Sequence, residues 1–197
     1  MPASYPSAIK TFTTLVDGVD DVLAAHQNDP NAEITAIETE LGTNPRGTFA
    51  DIKERIRFWG ARVFHNANQS IPDSTDTGLA FNSERFDSDA FHDTVTNNGR
   101  LTVPKAGKYL ITFSATLANG SSGTWSIYIR LNGVTPLAYR IFPQLSGLQI
   151  AETLSTIYDL AVNDYVEIRV VQSSGAAKDV LLAGNYSPEF SIALLST

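Results

Sequence analysis

No cysteine occurs in the 197 residues, and that absence removes disulfides, zinc–thiolate sites, iron–sulfur clusters and cysteine nucleophiles together. Histidine is almost as scarce: His26, His65 and His92 leave little for an imidazole-ligated metal. Positive charge is in deficit, with 14 Lys and Arg against 21 Asp and Glu and a net charge of −7. Without a cluster of bases, a nucleic-acid groove has no electrostatic footing. No apolar run approaches the roughly 18 residues that span a bilayer. The first twelve residues lack the apolar core of a secretory signal. Charged residues make up 18%, below the usual quarter, so neither a disordered tail nor a charge-laced coiled coil fits the whole chain. The length allows one main domain and an appendage.

What is present divides near Gly60, into a helical segment over 1–60 and a β-rich domain over 61–197. In the first part Val16, Val19, Val22, Leu23 and His26 follow helical spacing. Asn28-Asp-Pro30 is expected to interrupt that helix and start another, with Asp29 as N-cap and Pro30 at the first helical position. Ile34, Ile37 and Leu41 form the next stripe, which Gly42 ends. Thr48-Phe-Ala-Asp51 reads as a capping box opening a third helix that carries Phe49, Ile52 and Ile56. Stripes this narrow bury too little to hold short helices alone, yet they suffice as the seam of a multi-chain bundle. The alternative is that the helices pack back on their own β-domain.

The second part alternates with period two between turns. Runs at 61–66, 99–104, 109–115, 125–131, 153–160, 165–171 and 189–195 read as strands, and Asn132-Gly133 as a hairpin turn. About eight to ten short strands without a helical interlude indicate an antiparallel sandwich or barrel.

Five blocks in order carry a family resemblance. Phe86-Asp-Ser-Asp-Ala-Phe-His-Asp93 precedes Gly99-Arg-Leu-Thr-Val-Pro104 and Ala106-Gly-Lys-Tyr-Leu-Ile-Thr-Phe113. Leu160-Ala-Val-Asn-Asp-Tyr-Val166 and Phe190-Ser-Ile-Ala-Leu-Leu195 follow. Together they resemble the globular head of complement component 1q, with Leu101, Ile111 and Asn163 departing from the family pattern. The resemblance implies a mainly β, ten-stranded jelly roll of the kind shared with tumour necrosis factor, assembled as a homotrimer and not catalytic. Apolar residues on both faces of Tyr109–Ala115 and Tyr165–Val171 independently call for burial of a second face between copies. The expected seam is Tyr109, Phe113, Tyr165 and Phe190, or their sheet neighbours, with Ile34, Ile37, Leu41, Ile52 and Ile56 in the helical part. The alternative for the four aromatics is ordinary core.

A second resemblance covers His26-Gln-Asn-Asp-Pro-Asn-Ala-Glu-Ile-Thr-Ala-Ile-Glu38 and Leu41-Gly-Thr-Asn-Pro-Arg-Gly47. It is similar to a segment that recurs in tailed-bacteriophage virion proteins ahead of a fibre or adhesin domain. That implies helical trimerisation and attachment to a particle.

Chemistry is sparse. The sequence has no His-Glu-x-x-His, Gly-x-Ser-x-Gly, P-loop or dinucleotide fingerprint, so no catalytic residue and no cofactor are expected. Asp87, Asp89 and Asp93 are the calcium candidates, with Asp73 and Asp76 as a further pair; a hard cation wants several oxygens, but the spacing matches no EF-hand, and solvated loop carboxylates are the competing reading. His65, His92, Trp59 and Trp125 read as structural. Recognition is expected in the loops Asn119–Gly123, Gln144–Gln149 and Ser173–Asp179. The expectation is therefore a non-enzymatic, homotrimeric protein of the virion surface: a head fibre, capsid decoration or short tail-tip adhesin, assembled in host cytoplasm. Its partners would be other copies of itself, a capsid or tail protein, and a host surface glycan or protein, with neither nucleic acid nor membrane insertion involved. A bacterial surface or secreted jelly-roll binding module is the alternative, and a polysaccharide depolymerase the third reading.

Overall fold

The structure, a computed structural model, describes residues 24–47 and 49–197, with side chains from residue 30 onward. The chain separates into two compact units, one ending at Arg57 and the other running from Phe58 to Thr197.

In the first unit a single helix, α1 (Ala24–Leu41), runs through Pro30. The expected interruption at Asn28-Asp-Pro30, with Asp29 as a cap, is thus corrected. An internal proline costs about 3 kcal/mol because it lacks an N–H and crowds the preceding turn, but its fixed φ suits a helix and the residues after it propagate one. The Thr35 and Thr39 hydroxyls turn back to donate to the carbonyls of Asn31 and Thr35 (2.9 and 2.7 Å). Gly42 ends the helix at φ +76°, its N–H donating to the Glu38 carbonyl. Helix α2 (Ile52–Ile56) is capped by Asp51, whose extended backbone lets its carboxylate accept the Glu54 N–H at 2.7 Å. Asp51 therefore takes the N-cap role expected of Thr48, and Phe49 precedes the helix. Thr48 and the stripe Val16, Val19, Val22 and Leu23 lie outside the described residues, as does the side chain of His26.

The second unit is a β-sandwich of twelve strands: β1 (Gly60–Phe64), β2 (Gln69–Ile71), β3 (Thr77–Gly78), β4 (Ser83–Asp87), β5 (Arg100–Thr102), β6 (Gly107–Leu117), β7 (Thr124–Leu131), β8 (Thr135–Pro143), β9 (Ile150–Leu160), β10 (Tyr165–Gln172), β11 (Lys178–Leu181) and β12 (Glu189–Ser196). Ten were expected; β2 and β3, at three and two residues, are too short to show a period. One sheet runs β2-β11-β6-β12-β1-β4 with β9 also on β6, and the other β3-β10-β7-β8 with β5 also on β10. Every pair of these strands is antiparallel. Tyr109, Ile111, Phe113, Phe190 and Ile192 face inward from the first sheet; Trp125, Ile127, Ile129, Val166, Ile168 and Val170 meet them from the second.

The turns show why particular residues stand where they do. Asn132 and Gly133 both adopt positive φ (51° and 75°) and close the β7–β8 hairpin. Asn163, at the place where the complement-type pattern has glycine, sits at φ +70°; asparagine is among the few other residues that tolerate this region. A Cβ at Gly107 would collide with the Ser196 carbonyl oxygen, so β6 and β12 come this close only because that side chain is absent.

Candidate functional site

Three surfaces bring together residues that could bind something. The first is one end of the sandwich, where the loops 119–123, 144–149 and 173–179 meet. Gln172, fully buried at the end of β10, organises them. Its amide donates to the carbonyls of Ile71 (3.1 Å) and Ala176 (2.7 Å), while its Oε1 accepts from the N–H and hydroxyl of Ser174 and from the Gln144 amide. The Gln144 N–H donates to the Gly123 carbonyl and the Ser173 N–H to that of Thr124. A buried amide bonded through both its nitrogen and its oxygen, as that of Gln172 is, holds a loop in one conformation. The three loops expected to carry recognition thus form one buttressed end, with Ser121, Ser122, Leu145, Leu148 and Ala176 exposed on it.

The second surface is the outer face of the larger sheet. Register aligns Ile157, Leu110 and Ala193 in one row, and Ser155, Thr112, Ser191 and Arg62 in the next. Thr153, Ser114, Glu189 and Phe64 form a third. The Thr112 and Ser191 hydroxyls share a 2.6 Å hydrogen bond. Beside them is a shallow depression of about 310 Å³ lined by Arg62, Ser114, Thr153 and Glu189. Glu189 is nearly buried and accepts from Arg62 Nε (2.9 Å) and from Arg85 Nε and Nη2 (3.1 and 2.9 Å). The Arg85 guanidinium lies 3.8 Å from the centroid of the Phe64 ring. Small side chains flank this ionic group, with Ile157 and Leu195 exposed beyond.

This face corrects the expected seam. Tyr109, Phe113 and Phe190 are at most 1% exposed, packed between the sheets with no surface left for a second copy. The Tyr109 hydroxyl donates to the Lys105 carbonyl at 2.7 Å, and burial pushes its pKa up to about 12. Tyr165 is half-buried with the Arg100 guanidinium 4.7 Å from its ring centroid. The second face of β6 carries Lys108, Leu110, Thr112 and Ser114, far less apolar than alternation suggested. The sheet neighbours of the four aromatics hold the outward positions. In the helical unit Ile34, Ile37, Leu41, Ile52 and Ile56 are all exposed.

The third surface is the outer face of the smaller sheet. There Asp76 accepts from Arg130 Nη1 (2.6 Å) and Arg169 Nε (3.0 Å). Burial raises its pKa, but the two hydrogen bonds and charges outweigh that, and the net shift is downward.

Of the calcium candidates, Asp87, Asp93 and Asp73 accept backbone N–H groups. Asp87 accepts the N–H groups of Asp89, Phe91 and His92. Asp93 accepts those of Thr96 and Val95, which lower its pKa. Asp73 accepts the Gly175 N–H, away from Asp76. Among the described residues no three His, Asp or Glu are grouped to hold a metal, and no helix is long and apolar enough to cross a membrane. His92 is buried with Nδ1 2.9 Å from Glu84 Oε1 and Nε2 3.1 Å from the Asn98 carbonyl. Burial lowers the pKa of His65. Trp125 is fully buried in the core, its indole N–H donating to Ala118. Trp59 is half-buried against the core, with its carbonyl accepting from Leu194. Sequence reasoning missed the Gln144–Gln172 pair and the Asp76–Arg130–Arg169 group, because each joins segments that only the register brings together.

No family model matches the sequence, and no curated protein does. Among solved structures the chain is similar to Eiger TNF from S. frugiperda, with a TM-score of 0.52 and 14% identity over 71% of this chain and 93% of that one. At that identity the likeness concerns the fold alone. The mainly β sandwich is a tumour necrosis factor-like jelly roll.

Proposed function

We propose that the chain is a non-enzymatic, homotrimeric protein of a bacteriophage virion surface, anchored through its helical segment and presenting the jelly roll for binding. The observation that carries this reading is the apolar stripe Ile34, Ile37 and Leu41, exposed along an 18-residue helix. A helix of that length gains stability chiefly from packing its apolar face, and a one-residue-wide stripe at spacings of three and four is the seam of a helical bundle. The likeness of residues 26–47 to segments of tailed-phage virion proteins supports placing the bundle at a particle. Small residues on the outer face of the larger sheet let a neighbouring copy approach closely, and Ile157 and Leu195 would add apolar contact. The buttressed loop end is left for recognition, in keeping with the use of loops on rigid scaffolds.

Mass spectrometry and immunogold labelling of particles released by the host that encodes the chain test this reading. The chain is expected on the particle, in multiples of three per attachment site. Its presence only in cell envelope or medium, with particles bare, would overturn the virion assignment in favour of a bacterial surface or secreted module.

A further inference from the structure

We infer that the outer face of the smaller sheet carries a saccharide-binding platform centred on Tyr139, selective for neutral glycans. The inference deepens the reading of the head as a binding module and rests on it only for the biological use of the site.

The register aligns Arg169, Tyr128 and Tyr139 in one row across β10, β7 and β8, with Glu167 and Arg130 opposite each other in the adjacent row. Tyr128 and Tyr139 stack with centroids 4.6 Å apart and planes 22° from parallel. The Arg130 guanidinium lies 5.0 Å from the Tyr128 centroid. Tyr128 is thus held between neighbours, whereas Tyr139, on the edge strand of the sheet, remains 50% exposed. An aromatic ring fixed on one side and open on the other is a preorganised surface, since no rotamer freedom is lost when a ligand covers it.

Beside the rings lies the ionic group. Asp76 is gripped through both carboxylate oxygens by Arg130 and Arg169, and Arg169 Nη2 also donates to its backbone carbonyl at 2.9 Å. Glu167 lies 3.9 Å from Arg169 Nε. Two guanidiniums against two carboxylates leave no net charge, while lone pairs on Asp76 and guanidinium N–H groups stay available.

A pyranose matches this combination. One face of the sugar is a patch of C–H groups that packs on an aromatic ring, and its rim carries vicinal hydroxyls that both donate and accept. Strands are about 4.8 Å apart, so the row from Arg169 to Tyr139 spans roughly 10 Å, the length of two linked sugar units. The charge balance disfavours polyanions, and the exposed charges disfavour an acyl chain. The open geometry predicts weak affinity per site, which several linked copies would raise by avidity.

The test is binding of the full-length chain to an array of neutral oligosaccharides built from hexose and N-acetylhexosamine units, with sialylated and sulfated glycans alongside. Binding to neutral glycans is expected. Tyr139→Ala should lower it by about tenfold or more, as for other aromatic anchors, and Tyr139→Phe should keep it within about threefold because the ring face survives. Asp76→Asn should weaken it without changing the circular dichroism spectrum. Three results would each overturn the inference: no neutral glycan bound, acidic glycans bound in preference, or Tyr139→Ala binding as tightly as the parent. Particle association, measured separately, isolates the broader reading. A chain found on particles but silent on the array removes only this platform, and one that binds glycans through Tyr139 but is absent from particles removes only the virion assignment.

Discussion

Replacing Glu189 with glutamine should cost the head about 2 kcal/mol. Its carboxylate is 4% exposed and accepts three N–H bonds from Arg62 and Arg85. Removing one partner of a fully buried ion pair costs about 3–5 kcal/mol, because the remaining charge is stranded. Here the stranded groups are two guanidiniums with side chains 42% and 31% exposed. Water reaches both, so the larger figure is discounted toward the cost of losing charge-assisted hydrogen bonds, about 1.5–3 kcal/mol. In a domain of this size each kcal/mol lowers Tm by about 2–4 °C, giving a drop of about 4–8 °C in a thermal melt followed by near-ultraviolet circular dichroism. Because the carboxylate is buried, about 0.5 M salt should leave most of that drop in place. Arg62→Ala combined with Glu189→Gln should cost less than the sum of the two. A Glu189→Gln melt within 1 °C of the parent, or a drop that salt abolishes, would refute this account of the cluster.

Asp76→Asn should destabilise the head at neutral pH and converge with the parent in acid. The folded-state pKa of Asp76 is depressed, so its contribution is present above about pH 3.8 and is lost as pH falls through the folded value; an acid titration of both proteins that stays offset below both values would contradict it. At Gly123 (φ +84°) an added Cβ would collide with the Ser173 carbonyl oxygen, so Gly123→Ala should cost about 2–4 kcal/mol, read as a shift in the urea midpoint. Phe113→Ala should cost about 3–5 kcal/mol yet leave the oligomeric mass unchanged while the head stays folded; a fall in mass at full foldedness would return Phe113 to the interface.

Legibility in the sequence followed the range of the interactions involved. Strands with their own alternation, such as β6, β7 and β10, stand out because one buried face is enough to specify them. β8 does not, since Pro136 and Pro143 break its pattern; an edge strand tolerates them. The positive-φ turn at Asn132-Gly133 was legible from two residues. Pro30 was read as a break, although the helix around it carries one proline at a tolerable cost. The face of β6 that turns inward could not be read, because Tyr109 and Leu110 are both apolar and only the second sheet decides which is covered. Likewise Gln144 and Gln172 looked like ordinary polar residues, and their role depends on three loops meeting. Tyr128 and Tyr139 became a pair only through the β7–β8 register.

The central claim is that copies of this chain associate in threes through the exposed helical stripe. Light scattering of the full-length chain at micromolar concentration, beside Ile37→Asp, tests it most directly. Ile37 is exposed and outside the jelly-roll core, so a charge there should not unfold the head. The account predicts a parent mass three times 21.3 kDa and a lower mass for Ile37→Asp with an unchanged head melt. A parent species of 21.3 kDa, or a variant that stays trimeric, would contradict it.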